Sequence, residues 1–227
     1  MTGFEAQRLT MVESQLRPNE VTDTRLLASM RALPRERFVP RKFRALAYMD
    51  EGIEVFPAVD GAPARFLLAP MVLARLVQLA AVEPRDAVLD VGCATGYSTA
   101  VLAGLGRSVI GLEPEPELAE AARAALRELG IANADIVEGA LARGLPDSGP
   151  YDVILLNGSV PEPPKALLAQ LREGGRLAAI LSSGGNQGSQ GKACLFVKVG
   201  GEASGIAHFD AGARKLPGFL PEPCFTF

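Results

Sequence analysis

Apolar positions in this chain change period part-way along it. Between residues 4 and 48 the pattern is helical: Leu26, Leu27, Met30 and Leu33 form an apolar set, Thr22 or Asp23 stands where an N-cap is needed, and Pro34 stops the helix. Residues 51–64 carry Gly52, Pro57, Gly61 and Pro63 and read as an irregular loop. Residues 67–82 are apolar nearly all round, which predicts a buried helix. From Ala87 the chain alternates. Short apolar runs at 87–91, 108–112, 135–138, 152–156 and 176–181 read as buried strands. Helical stretches at 97–104, 115–129 and 164–171 separate them; Pro116 near the start and Gly130 past the end frame the amphipathic 115–129 segment. The tail adds a strand at 193–199 and a weaker one at 204–209 after a glycine-rich loop, Ser182 to Gly191.

Alternation of this kind predicts a doubly wound α/β fold: a mostly parallel, seven-stranded sheet with helices on both faces and an N-terminal helical extension. The 227 residues suit a single domain, with 1–66 as extension and substrate-side loop and 67–227 as core.

Composition narrows the class. A net charge of −3 argues against a nucleic-acid binder. Residues 1–48 nonetheless hold nine Lys/Arg against five Asp/Glu, concentrated in Arg35, Arg37, Arg41, Lys42 and Arg44. That cluster is either a solvated face or a rim that attracts an anionic substrate. The longest apolar stretch, 66–82, is broken by Pro70, Arg75 and Gln78 and is too short to span a bilayer, so no membrane partner is expected. Cys93, Cys194 and Cys224 have neither disulfide nor metal spacing, as expected of a cytoplasmic protein without a metal site. His208, the only histidine, lies in the tail and reads as structural.

The run Val88-Leu-Asp-Val-Gly-Cys-Ala-Thr-Gly-Tyr-Ser98 lies where the first core strand turns into its helix. Glycines there let the backbone approach a ligand, and the helix N-terminus offers free N–H groups. Glu113 ends the next strand, where a carboxylate can accept bonds from a ribose diol. Cys93 lacks a base partner and reads as a small packing residue. Asn157-Gly158-Ser159 follows the 152–156 strand at the carboxyl edge, as an ordinary turn or, through Asn157 or Ser159, as a contact to a second ligand.

Asp90, Gly92, Ala94 and Gly96 together resemble the acid-x-Gly-x-Gly-x-Gly loop of class I S-adenosylmethionine-dependent methyltransferases. The resemblance implies that Gly92 and the Cys93–Gly96 backbone hold the methionine portion of S-adenosylmethionine, and Glu113 the ribose. S-adenosylhomocysteine would be the product. Two positions depart from the pattern. Ala94 replaces the middle glycine, which predicts a negative φ there. Glu138-Gly139-Ala140 stands where such enzymes carry Gly-Asp, so backbone groups or Glu138 would meet the adenine.

The flanks narrow the match further. Met30-Arg-Ala-Leu-Pro-Arg-Glu-Arg-Phe-Val-Pro40, Ala47-Tyr-Met-Asp50, Tyr151-Asp-Val-Ile154 and Leu168-Ala-Gln-Leu-Arg-Glu-Gly-Gly-Arg-Leu177 resemble protein-L-isoaspartate O-methyltransferases over roughly residues 10–200. That implies a sheet with a swapped strand order at its C-terminal edge, a protein or peptide substrate, and methyl transfer to an isoaspartyl carboxylate during protein repair. A carboxylate is already ionised at neutral pH, so alignment would do most of the work. The family's Gly-x-Gly-Gln-Thr-x-Ser-x-Pro segment falls on Ala62-Pro-Ala-Arg-Phe-Leu-Leu-Ala-Pro70. Its hydroxyl positions become Phe66 and Leu68, and neither can donate a hydrogen bond. Arg65 is the nearest polar replacement, as a carboxylate clamp or as a surface arginine. A related methyltransferase acting on another protein or a small molecule, and a non-catalytic module binding S-adenosylmethionine or S-adenosylhomocysteine, are the alternative readings.

Overall fold

The computed structural model describes residues 3–59, 63–182 and 190–219. Cys224, Gly61, Ala62 and most of the Ser182–Gly191 loop lie outside the described residues.

The N-terminal part is helical. Helix α1 (Gly3–Met11) runs into a π turn at Val12–Leu16, and α2 (Thr24–Ala32) follows. Asp23 is the cap: its carboxylate accepts from Arg25 N at 2.8 Å and Leu26 N at 3.3 Å. Leu26, Leu27 and Met30 are buried. The stretch read as a loop holds a short strand instead, β1 (Ile53–Phe56), which pairs antiparallel with β2 (Arg65–Leu67). The prolines and glycines that signalled a loop lie outside these two strands, so the ladder forms between them. Pro70 then opens helix α3 (Pro70–Ala80), three residues later than the apolar run suggested, because proline fits the first helical turn and disfavours helix before it.

The core alternates as predicted: β3 (Ala87–Val91), α4 (Tyr97–Ala103), β4 (Ser108–Glu113), α5 (Pro116–Glu128), β5 (Ala134–Glu138), β6 (Tyr151–Val160), α6 (Lys165–Ala169), β7 (Leu171–Ser182), β8 (Gln190–Val199) and β9 (Glu202–Gly212). The seven core strands form one sheet in the order β5-β4-β3-β6-β7-β8-β9. The first five run parallel, while β8 and β9 add antiparallel as a meander at the C-terminal edge. One hydrophobic cluster unites the N-terminal helices, α3, α4 and α5 with one sheet face; a second, containing Leu89, Leu156 and Leu216, covers the other. Burying both faces requires the near-continuous apolar strands seen in the sequence.

The sequence ends β6 at Leu156, but the strand continues through Asn157, Gly158 and Ser159. Its register against β7 slips between Leu155 and Ser159, so the strand bulges there. Bulges redirect side chains. This one lies opposite the end of β3, where Val91 pairs with Leu156.

Candidate active site

The carboxyl ends of β3, β4 and β6 meet the loop 92–96. Gly92 has φ +77° and Gly96 φ +88°, both left-handed. A Cβ at Gly96 would come 2.9 Å from the Ala122 Cβ, so glycine there also lets α4 pack against α5. Ala94 corrects the sequence expectation. Its φ is +51°, not negative. The left-handed turn presents Ala94 N to Glu113 Oε2 at 2.8 Å, and a charge-assisted bond of that kind offsets the roughly 1–2 kcal/mol cost of the conformation.

Asp90 is fully buried and accepts from Ser98 Oγ at 2.7 Å and Thr99 Oγ1 at 2.6 Å. The Asn157 amide, turned inward by the bulge, donates to its other oxygen. Burial pushes the Asp90 carboxyl up from its ordinary 3.8 to about 6, against the three bonds that favour the charge; the nearby Glu113 charge raises it further. The folded state therefore holds the proton more tightly than the unfolded chain. Any stability this gives is complete below about pH 4 and is lost as pH rises through 6. Asp90→Asn should gain stability relative to the wild type between pH 4 and 8, by about 2–3 kcal/mol. Urea unfolding across that range checks it; parallel pH profiles for the two proteins would show that Asp90 is not the source.

Glu113 lies at the end of β4 with none of its surface exposed. Its partner is Arg65. The guanidinium reaches Glu113 Oε1 at 2.6 Å and Oε2 at 3.0 Å, and also Gly92 O at 3.3 Å. Burial raises the Glu113 carboxyl, and Arg65 is the largest opposing influence. Arg65 is thus neither a surface arginine nor free to clamp a substrate carboxylate: it is 4% exposed and committed to the residue expected to hold ribose. The pairing joins residues 48 apart, and no local sequence signal marks it.

The tail closes the same edge. Ser159, offered as an acceptor contact, instead donates through Oγ to Ala213 O at 3.1 Å, while its N–H meets Arg214 O at 2.9 Å and its carbonyl accepts from Leu216 N at 2.9 Å. This seats Leu216 over the loop: a Cβ on Gly92 would fall 2.7 Å from Leu216 Cδ2 and 3.2 Å from Arg65 Nη2. Gly139 N donates to Glu113 O at 3.2 Å, and Ala140 follows with φ −69°. Glu138, the alternative adenine contact, is paired with Arg123 at 2.9 Å. Cys93 is buried, and its thiol is pushed well above its ordinary range, first by burial and then by Asp90 and Glu113, as a packing residue requires.

A family model for protein-L-isoaspartate(D-aspartate) O-methyltransferases matches residues 7–199. The chain belongs to this family. A protein-L-isoaspartate O-methyltransferase of Koribacter versatilis is 38% identical over 183 residues, 81% of this chain and 80% of its own. One from Herpetosiphon aurantiacus is 35% identical over 184 residues, with the same coverage. A solved protein-L-isoaspartate O-methyltransferase structure superposes with TM-score 0.80 at 26% identity, covering 94% of this chain and 67% of that one. A Plasmodium falciparum protein crystallised with S-adenosyl-L-homocysteine shares the fold, with TM-score 0.72 at 20% identity over 95% of this chain and 99% of its own. Protein-L-isoaspartate O-methyltransferases take their methyl group from S-adenosylmethionine, and the donor set here suits that cofactor: two buried carboxylates beside a left-handed glycine turn at the carboxyl edge. Beside Gly92, Cys93, Ala94 and Asn157 the void measures only about 10 Å³, room for one water. Leu216 and Arg65 are the side chains nearest Gly92.

Proposed function

We propose that this chain binds S-adenosylmethionine at the carboxyl edge of its sheet and methylates isoaspartyl carboxylates of damaged protein or peptide. The observation that carries the reading is the Asp90–Glu113 carboxylate pair, fully buried around the 92–96 loop. Its relatives, which bear the isoaspartyl name, support the choice of acceptor. Gly92 and the Cys93–Gly96 backbone would hold the methionine portion, Glu113 the ribose, and Gly139 and Ala140 the adenine. When bound, S-adenosylmethionine supplies an electrophilic sulfonium methyl group. The protein's own task is to align the acceptor carboxylate and exclude water. Asn157, anchored on Asp90 and lining the small void, would orient the acceptor side. The proposed setting is the cytoplasm; among the described residues no helix is long and apolar enough to cross a membrane.

A second reading, a less polar acceptor, is favoured by Phe66 and Leu68, which put apolar groups at the positions where the family carries hydroxyls. Methyl transfer to an isoaspartyl peptide, run beside a small-molecule panel, separates the two. Transfer to the peptide supports the first reading. Transfer to a panel member alone supports the second.

A further inference from the structure

Arg35 belongs to the basic cluster that sequence alone reads as a surface feature, yet none of it is exposed. It sits in the 3-10 turn Arg35–Phe38. Its Nε donates to Ala47 O and its Nη2 to Leu68 O, each at 2.8 Å. Its Nη1 is buried with no hydrogen-bond partner. Among the described residues no carboxylate lies within ion-pair distance of the guanidinium. A buried cation without a counter-ion is costly, and burial pulls its pKa down.

Tyr97 stands beside it. The guanidinium carbon lies 4.6 Å from the Tyr97 ring centre, and Phe38 meets the same ring edge-on at 5.4 Å. The ring is fully buried, and its hydroxyl has no hydrogen-bond partner either. Burial raises that hydroxyl's pKa, so it stays protonated and able to donate. The guanidinium and the phenol oxygen attract each other, and neither Nη1 nor the hydroxyl has a partner elsewhere; both residues line one void with Leu68, Ala94 and Asn157, against the 92–96 loop. Native interiors rarely leave such groups unsatisfied without a ligand or an ordered water.

We infer that Arg35 and Tyr97 form a carboxylate subsite at the centre of methyl transfer, supplying the polar grip that Phe66 and Leu68 cannot. The inference rests on the proposed function and deepens it. Two carboxylates could fill the subsite: that of the acceptor, or that of the methionyl end of the cofactor. The void of about 10 Å³ holds about one water, so a carboxylate enters only as the lining, which includes Phe66 of β2, gives way.

Tyr97→Phe tests this cleanly. It removes one unpartnered hydroxyl and keeps the ring, so a purely structural role predicts unchanged or higher stability. Three constants are read against the wild type: KM and kcat for an isoaspartyl peptide, Kd for S-adenosylhomocysteine, and Kd for 5′-methylthioadenosine, which lacks the amino-acid carboxylate. If the acceptor fills the subsite, peptide KM rises about tenfold or more while kcat and both Kd values hold. If the cofactor fills it, the S-adenosylhomocysteine Kd rises by that amount while the methylthioadenosine Kd holds. Arg35→Lys, which keeps the charge, should shift the affected constant less than Arg35→Gln does. All constants within twofold of the wild type in Tyr97→Phe would overturn the subsite and leave an ordered water as the occupant. A wild type that leaves isoaspartyl peptide unmethylated would defeat the proposed acceptor, while the two Kd values would still decide the subsite.

Discussion

Replacing Arg65 with alanine is expected to lower the stability of the ligand-free protein by about 3–5 kcal/mol, the usual cost of removing one partner from a buried pair. No discount for solvent screening applies, since Arg65 is 4% exposed and Glu113 fully buried. For a chain of this length that corresponds to a loss of roughly 10 °C in Tm. The same change should tighten S-adenosylhomocysteine binding. If Glu113 holds the ribose as proposed, a ribose in the wild type competes with a guanidinium that already holds both oxygens of Glu113; in the variant Glu113 lacks that partner, and the ligand hydroxyls would restore it. Saturating S-adenosylhomocysteine should therefore recover more Tm in Arg65→Ala than in the wild type. Weaker binding by the variant would show that Arg65 belongs to the ligand site and does not block it.

The second large effect concerns the acceptor. Introducing Phe66→Thr and Leu68→Ser together should raise kcat/KM on an isoaspartyl peptide by roughly a hundredfold, since two hydroxyl donors to a carboxylate are worth about 1.5–3 kcal/mol each and part of that is already met. Both must change, because either alone leaves an apolar wall. Phe66 is half-buried under the Arg214 guanidinium, 5.0 Å from the ring centre, and can be replaced at modest cost. Leu68 is 7% exposed, and its truncation should cost about 2–4 kcal/mol, so the assay belongs well below the melting range. An unchanged kcat/KM in a folded double variant would mean that other groups already hold the acceptor in full.

Local pattern made several elements legible in the sequence. Strand β3 matches its predicted bounds residue for residue, and α4, β4 and α5 differ only at their ends, because apolar runs, Pro116 and Gly130 are signals carried within one element. The glycine loop and Glu113 were visible for the same reason. What stayed hidden depends on residues far apart. The β1–β2 ladder forms across a proline- and glycine-bearing segment that reads as loop. The extension of β6 depends on a bulge against β7. Ala94 takes a left-handed conformation because a carboxylate nineteen residues away accepts its N–H. Arg35 reads as part of a surface cluster and Arg65 as a substrate clamp or a surface arginine, since an arginine's burial is decided by its partners. One is paired with Glu113; the other is stacked on Tyr97 with a donor unused.

The central claim is that this buried edge transfers a methyl group from S-adenosylmethionine to an isoaspartyl carboxylate. It is tested most directly by incubating the protein with methyl-labelled S-adenosylmethionine and a matched pair of peptides, one isoaspartyl and one aspartyl. Base-labile label on the isoaspartyl peptide alone, lost when Glu113 is replaced with alanine, is the predicted result. Cofactor binding without label on either peptide, or equal label on both, would contradict it.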